Sequence, residues 1–168
     1  MARQAQLWRS WCVTLLAVAL VGSMAGCGKG LGKSRWADET DPKVLEGLTE
    51  PDVPKWVNAP SVDDGICDVG AAAFNRSPVI TRKEAEKEAI ARMAKIVVAR
   101  ARKVMSADEK LPTLKEDEAI EGVVVGAEQK EYWKARTRAI FVLVAVSEEN
   151  IDKSVKATID AHIKKKYD

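Results

Sequence analysis

The chain has 168 residues, 18.4 kDa, with 46% hydrophobic and 31% charged residues, which suits one globular domain with something added and excludes a disordered chain. Three cysteines exclude a disulfide scaffold, one histidine is too few for most zinc or histidine-based catalytic sites, and 5% aromatics argue against a base-stacking surface for single-stranded nucleic acid. The formal charge of +2 disappears once residues 1–26 are set aside: they hold Arg3 and Arg9 and no acid, so the remainder is neutral and has no footprint for nucleic acid.

The first ten residues are polar with two arginines, Val13 to Val21 is an apolar run broken only by Thr14, and Gly22, Ser23, Ala25 and Gly26 follow. That order predicts a signal peptide over residues 1–26. A spanning helix wants ~20 strongly apolar residues, and this run fades into glycine and serine. The sequence Met24-Ala25-Gly26-Cys27 resembles the lipobox of bacterial lipoproteins. The resemblance implies a diacylglycerol thioether on Cys27, cleavage before it and N-acylation; two or more acyl chains hold a protein stably where one does not. The same resemblance carries a sorting rule, and Gly28, not being aspartate, implies the outer membrane, on its periplasmic side or at the cell surface.

Residues 27–54 mix glycine, proline and charge without a period of 2 or 3.6, and predict a lipidated cysteine followed by a flexible tether. Its random-coil reach is ~25–30 Å. Gly28, Gly30 and Gly32 lack the strand and helix a phosphate-cradling loop needs.

The folded domain is expected over residues 55–168. Trp56 and Val57, followed by Pro60, form a docking segment; Trp56 reads equally well as an exposed anchor for a partner or as a cap on the core. Alternation from Ile66 to about Phe74 predicts a strand with Cys67, Val69, Ala71 and Ala73 on one face. Thr81 and Glu84 have the spacing of a capping box, and Ile90, Met93, Ala94, Val97, Ala101, Val104 and Met105 then predict an amphipathic helix ending between Met105 and Pro112. An acidic loop follows. A second strand is expected from about Ile120 to Gln129 and a turn within 130–137. Ala139 to Val146 is apolar on both faces, which predicts a central strand. Ser147 can cap a last helix bearing Ile151, Val155, Ile159 and Ile163. The order β-α-β-β-α predicts an α+β, two-layer domain, a small sheet with helices mainly on one face.

Cys27, Pro54-x-Trp56-Val57 with Pro60, the glycine-flanked strand before an alanine-rich helix, Tyr132-Trp133, and Phe141-Val142-Leu143-Val144 together resemble the twenty-kilodalton lipoprotein (LPP-twenty) family. The resemblance covers roughly Pro54 to Ser147. It implies a small bacterial envelope lipoprotein, some members lying at the outer membrane or cell surface and some attached to flagellar disk structures. It supplies no catalytic residues. The long acidic loop and Cys67 depart from the family pattern.

Cys67 reads as a small hydrophobe in a strand rather than a redox thiol. His162, alone on its helix, makes no metal site. Asp63-Asp64 and Asp117-Glu118 read as solvated loop charges, and no nucleophile–base pair stands in a recognisable context. The expectation is a chain that is not an enzyme and holds no cofactor or metal. Its role is structural or in assembly at the envelope, through a second copy or another envelope protein, with the membrane held through lipid at Cys27. The alternative is a tethered regulator docking on an envelope enzyme such as a peptidoglycan synthase. Because the helices cover mainly one face, Val142 and Val144, or else Phe141 and Leu143, are expected to face a partner: a second copy, the returning 54–60 segment with Trp56, or another envelope protein. The competing account is that the two helices and the Trp56 segment cover both faces and leave a monomer.

Overall fold

The computed structural model describes residues 36–75, 77–108, 111–112 and 118–167. The elements are α1 (Pro42–Gly47), α2 (Lys55–Asn58), β1 (Ile66–Ala73), α3 (Pro78–Ala107), β2 (Glu128–Lys134), β3 (Ala139–Val146) and α4 (Glu148–Tyr167). The three strands form an antiparallel sheet in the order β1-β3-β2, packed against helices, so the domain is α+β as expected.

β3 is central, and its alternation divides the core. Ile140, Val142, Val144 and Val146 face α3 and α4, where they meet Met93, Val97, Ile151 and Val155. Ala139, Phe141, Leu143 and Ala145 face the other way, beside Cys67, Val69 and Ala71 of β1. That second face is not left open. Residues 36–62, a strap carrying α1 and α2, lie across it and bury Trp36, Val44 and Val57 at 7%, 1% and 0% exposure. Trp36 meets Phe141 edge-on at 5.6 Å, and Trp133 packs on the same ring at 5.3 Å.

The packed chain therefore begins at least as early as Trp36, eighteen residues before the boundary at Pro54 that composition suggested. The strap is rich in proline and charge because it is irregular and half-exposed, not because it is unattached. Its polar groups also close the β2–β3 turn. The Glu50 carboxylate accepts from the Arg136 and Thr137 backbone N–H groups at 3.0 and 3.1 Å, and the Thr137 hydroxyl donates to the Lys43 carbonyl at 2.9 Å. Arg138 takes a left-handed φ of 66° there without a glycine. The turn lacks a sequence signal because its backbone donors are satisfied from eighty-six residues away.

α3 starts earlier than the Thr81–Glu84 box indicates. Ser77 is the N-cap, its Oγ accepting from the Val79 N–H at 3.3 Å, and Pro78 is preset for the first helical turn. Thr81 is instead fully buried, its hydroxyl donating to the Ser77 carbonyl at 2.9 Å. The helix presses on β1 at Gly70, where an added Cβ would stand 1.8 Å from the Ala85 carbonyl oxygen. Gly70→Ala is expected to push α3 off the sheet and to cost about 3 kcal/mol, read from the denaturation midpoint against wild type. A midpoint unchanged by the methyl group would contradict this packing.

The outer edge of β1 is sealed by side chains. The Val69 N–H donates to Asp68 Oδ1 at 2.7 Å, the Ala71 N–H donates to Glu88 Oε2 at 2.7 Å, and the Val69 carbonyl accepts from Arg92 at 3.0 Å. Arg92 is itself paired with Glu88 and lies 4.9 Å over the Trp36 ring, so one residue ties helix, edge and strap together.

The expected strand at 120–129 is displaced. Residues 120–127 run across the helices. The Val123 N–H donates to Thr158 Oγ1 and the Val125 N–H to Ser154 Oγ, both at 2.9 Å, so hydroxyls of α4 take the place of a neighbouring strand. Gly126, at φ 67°, then redirects the chain into β2, whose charged sequence hides its pairing with β3.

Candidate functional site

The residues singled out in the sequence do not converge. Cys27 lies outside the described residues. Val142 and Val144 are 0% exposed beneath α3 and α4, so neither can meet a partner; they are core because β3 has cover on both faces. Phe141 and Leu143, the other candidates for an open face, lie under the strap. Trp56 is half-buried against the same strap-side cluster, which fits the capping reading. Cys67 is 6% exposed among Val69, Ala71 and Ala145, a packing position.

His162 has a defined role. Its side chain is 8% exposed, with Nε2 3.2 Å from Glu118 Oε1 but outside hydrogen-bond geometry, so the contact is an ion pair when the imidazole is protonated. Lys166 Nζ lies 2.8 Å from the same oxygen, and Arg102 donates to the Glu118 carbonyl. Glu118 thereby fastens the 118–127 segment to both long helices. Nothing local in the sequence pointed to this, because the partners lie on two separate helices.

The structure adds a groove of about 450 Å³ at the end of the sheet. Leu143 and Ala145 form its floor, and the Ser61–Asp64 loop, β2 and the start of α4 form its walls. Asp63, Asp64, Glu128 and Glu131 line it, with Lys130 as the one cation among the described residues. Lys130 Nζ lies 2.7 Å from Glu128 Oε2, and that hydrogen bond, with the charge of Lys130, holds the Glu128 carboxyl below the usual range. The Glu149 carboxyl is lowered in the same way by Lys153. Both groups are fully exposed; their pairing is present at neutral pH and fades as pH falls through the carboxylate range. Among the described residues, no group of three or more histidine, cysteine, aspartate or glutamate side chains is placed to hold a metal ion. No described helix is long and apolar enough to cross a membrane.

The electrostatics are more organised than a neutral total suggests. The strap on one face of the sheet and the loop that follows it, residues 36–64, hold eight acids against Lys43 and Lys55, an excess of six negative charges. α3, on the other face, holds eight bases against Glu84, Glu86 and Glu88, an excess of five positive charges. The domain is a charge dipole across its own sheet. This polarity was readable in the sequence, but only once the strap was known to be part of the fold.

No family model, curated protein or solved structure matches the chain.

Proposed function

We propose that this chain is an envelope lipoprotein of the LPP-twenty type, anchored to the outer membrane through lipid on Cys27 and serving a structural or assembly role through association with itself or another envelope protein. The observation that carries the reading is the Ala25-Gly26-Cys27 sequence directly behind the apolar run from Val13 to Val21. Gly28 behind the cysteine favours the outer membrane.

The position of the strap supports assembly close to the bilayer over docking on a distant synthase. Trp36 is nine residues from Cys27, and nine extended residues span at most about 30 Å. A regulator that must reach across the periplasm needs a longer tether.

Replacing Cys27 with serine tests the anchor. Wild type is expected to sediment with outer membranes, and the variant to move to the soluble periplasmic fraction with its fold, read by circular dichroism, unchanged. Equal membrane association of the two proteins overturns the reading.

A further inference from the structure

We propose that copies of this protein associate head to tail, the basic outer stripe of α3 on one copy seated against the acidic strap of the next. The inference deepens the assembly reading above and rests on it for its place in the envelope; its physical basis is independent of the anchor.

The stripe follows from the way α3 is buried. Its buried row, Thr81, Ala85, Ala89, Met93, Val97, Ala101 and Met105, repeats every four residues. An α-helix turns about 100° per residue, so each step of four advances the row by about 40° and the row winds along the helix. A second row trails it by two residues: Lys83, Lys87, Ala91, Lys95, Ala99 and Lys103. It lies about 200° round from the buried row at every point, and so faces outward along the whole helix. All six residues are exposed. From Lys83 to Lys103 the stripe is about 30 Å long, and Ala91 and Ala99 between the lysines leave room for a surface to approach.

The strap offers the matching surface. Glu50 is occupied with the β2–β3 turn, Asp41 caps α1 by accepting from the Lys43 N–H, and Asp52 faces Arg136 at 3.6 Å. Asp38, Glu46, Asp63 and Asp64 are exposed. Neither these four acids nor Lys83, Lys87, Lys95 and Lys103 are ion-paired among the described residues. Asp38 and Glu46 on the strap, with Asp63 and Asp64 in the loop that follows it beside the groove, thus stand apart from the lysine row of α3, which packs on the opposite face of the sheet from the strap. Opposed, self-complementary faces make a heterologous contact, which propagates into a ring or an open file of molecules. The neutral total removes the long-range repulsion that would resist it.

An anionic bilayer would also attract the lysine stripe. A second copy is the better occupant because it satisfies both surfaces at once, whereas a membrane leaves the strap acids unmatched.

The test uses the full chain carrying Cys27→Ser, which removes lipid-driven clustering. Sedimentation at about 50 mM and about 500 mM salt should show association at the low ionic strength and its loss at the high one, where the screening length falls below about 5 Å. A helix variant (Lys87→Glu, Lys95→Glu, Lys103→Glu) and a strap variant (Asp38→Lys, Glu46→Lys, Asp63→Lys) should each be monomeric at low salt and keep the wild-type circular dichroism. Mixed in equal amounts they should associate again, since acidic helix then meets basic strap. A wild-type chain that stays monomeric at low salt overturns the proposal, as does association unaffected by either set of reversals. A monomeric wild type that binds vesicles containing phosphatidylglycerol, with binding lost in the helix variant, overturns it in favour of a lipid surface. Failure here leaves the anchor standing, and failure of the Cys27→Ser fractionation leaves this contact standing.

Discussion

A chain that starts at Pro54 is expected to fold poorly or not at all. It lacks Trp36 and Val44, which are 7% and 1% exposed, and it lacks Glu50, whose carboxylate holds the β2–β3 turn. Burial of the two apolar side chains contributes about 2–3 kcal/mol each, and their loss leaves Phe141, Leu143 and Trp133 facing water. The total rivals the net stability of many small domains. Thermal unfolding of chains starting at 34 and at 54 would check this: the shorter one should melt more than 10 °C lower, at about 3–5 °C per kcal/mol for a domain of this size, or show no transition. Trp36→Ala in the full chain should cost about 3–5 kcal/mol, since it also removes the Phe141 edge contact and the Arg92 stack. Equal melting of the two chains would mean that the strap is only laid on the sheet.

Val144→Lys is expected to be the most damaging point substitution. Were Val144 on an open sheet face, the lysine would dissolve a dimer and leave the chain folded. Its 0% exposure between β3 and the helices gives a different outcome. An ammonium group there would be desolvated among Met93, Val97, Ile151 and Val155; even with Asp68 across the ladder from it, it must be buried as a charge or open the core, at a cost of several kcal/mol. The protein should be found in the insoluble fraction, or soluble with the far-ultraviolet spectrum of an unfolded chain. Val142→Ala, at the neighbouring 0% position, should cost only about 2 kcal/mol and stay folded, which separates loss of packing from burial of charge. A folded, monomeric Val144→Lys protein would place β3 at a surface after all.

What was legible in the sequence follows the physics of each segment. β3 was read at its observed bounds because eight consecutive apolar residues have no other explanation in a small domain. The same holds for β1, for α3 except its first turn, and for α4, whose patterns are set by burial on one or both faces. The errors are of two kinds. Val123 to Val125 is a β-branched run between two glycines and reads as a strand, but its backbone donors go to Thr158 and Ser154. β2 reads as solvent-exposed polar chain because only its inner edge is engaged. The strap reads as a tether because its few apolar residues, Trp36, Val44, Leu48, Val53 and Val57, follow no period. The strap and residues 120–127 have partners distant in sequence and irregular contacts, whereas β2 pairs with its neighbour β3 and is hidden by its charge alone. The site residues fared accordingly: the apolar β3 pairs were correctly divided into two faces, but nothing local could tell that both faces were covered.

The strap also fixes an order of events in time. It packs on β1 and under Arg92, but its hydrogen bonds to the β2–β3 turn span 86, 87 and 94 residues, so its docking is incomplete until β3 has been made and delivered. Long-range closures of this kind are late and slow, since the chain entropy must be given up before the contacts reward it. The N-terminal end of the described body is thus made first and fully fastened only with the C-terminal half. If the chain is exported as proposed, the strap cannot be fully fastened before nearly all of the chain has crossed. For a protein threaded through a membrane, a closure that must wait for the far end of the chain would delay completion of the fold until transport is over.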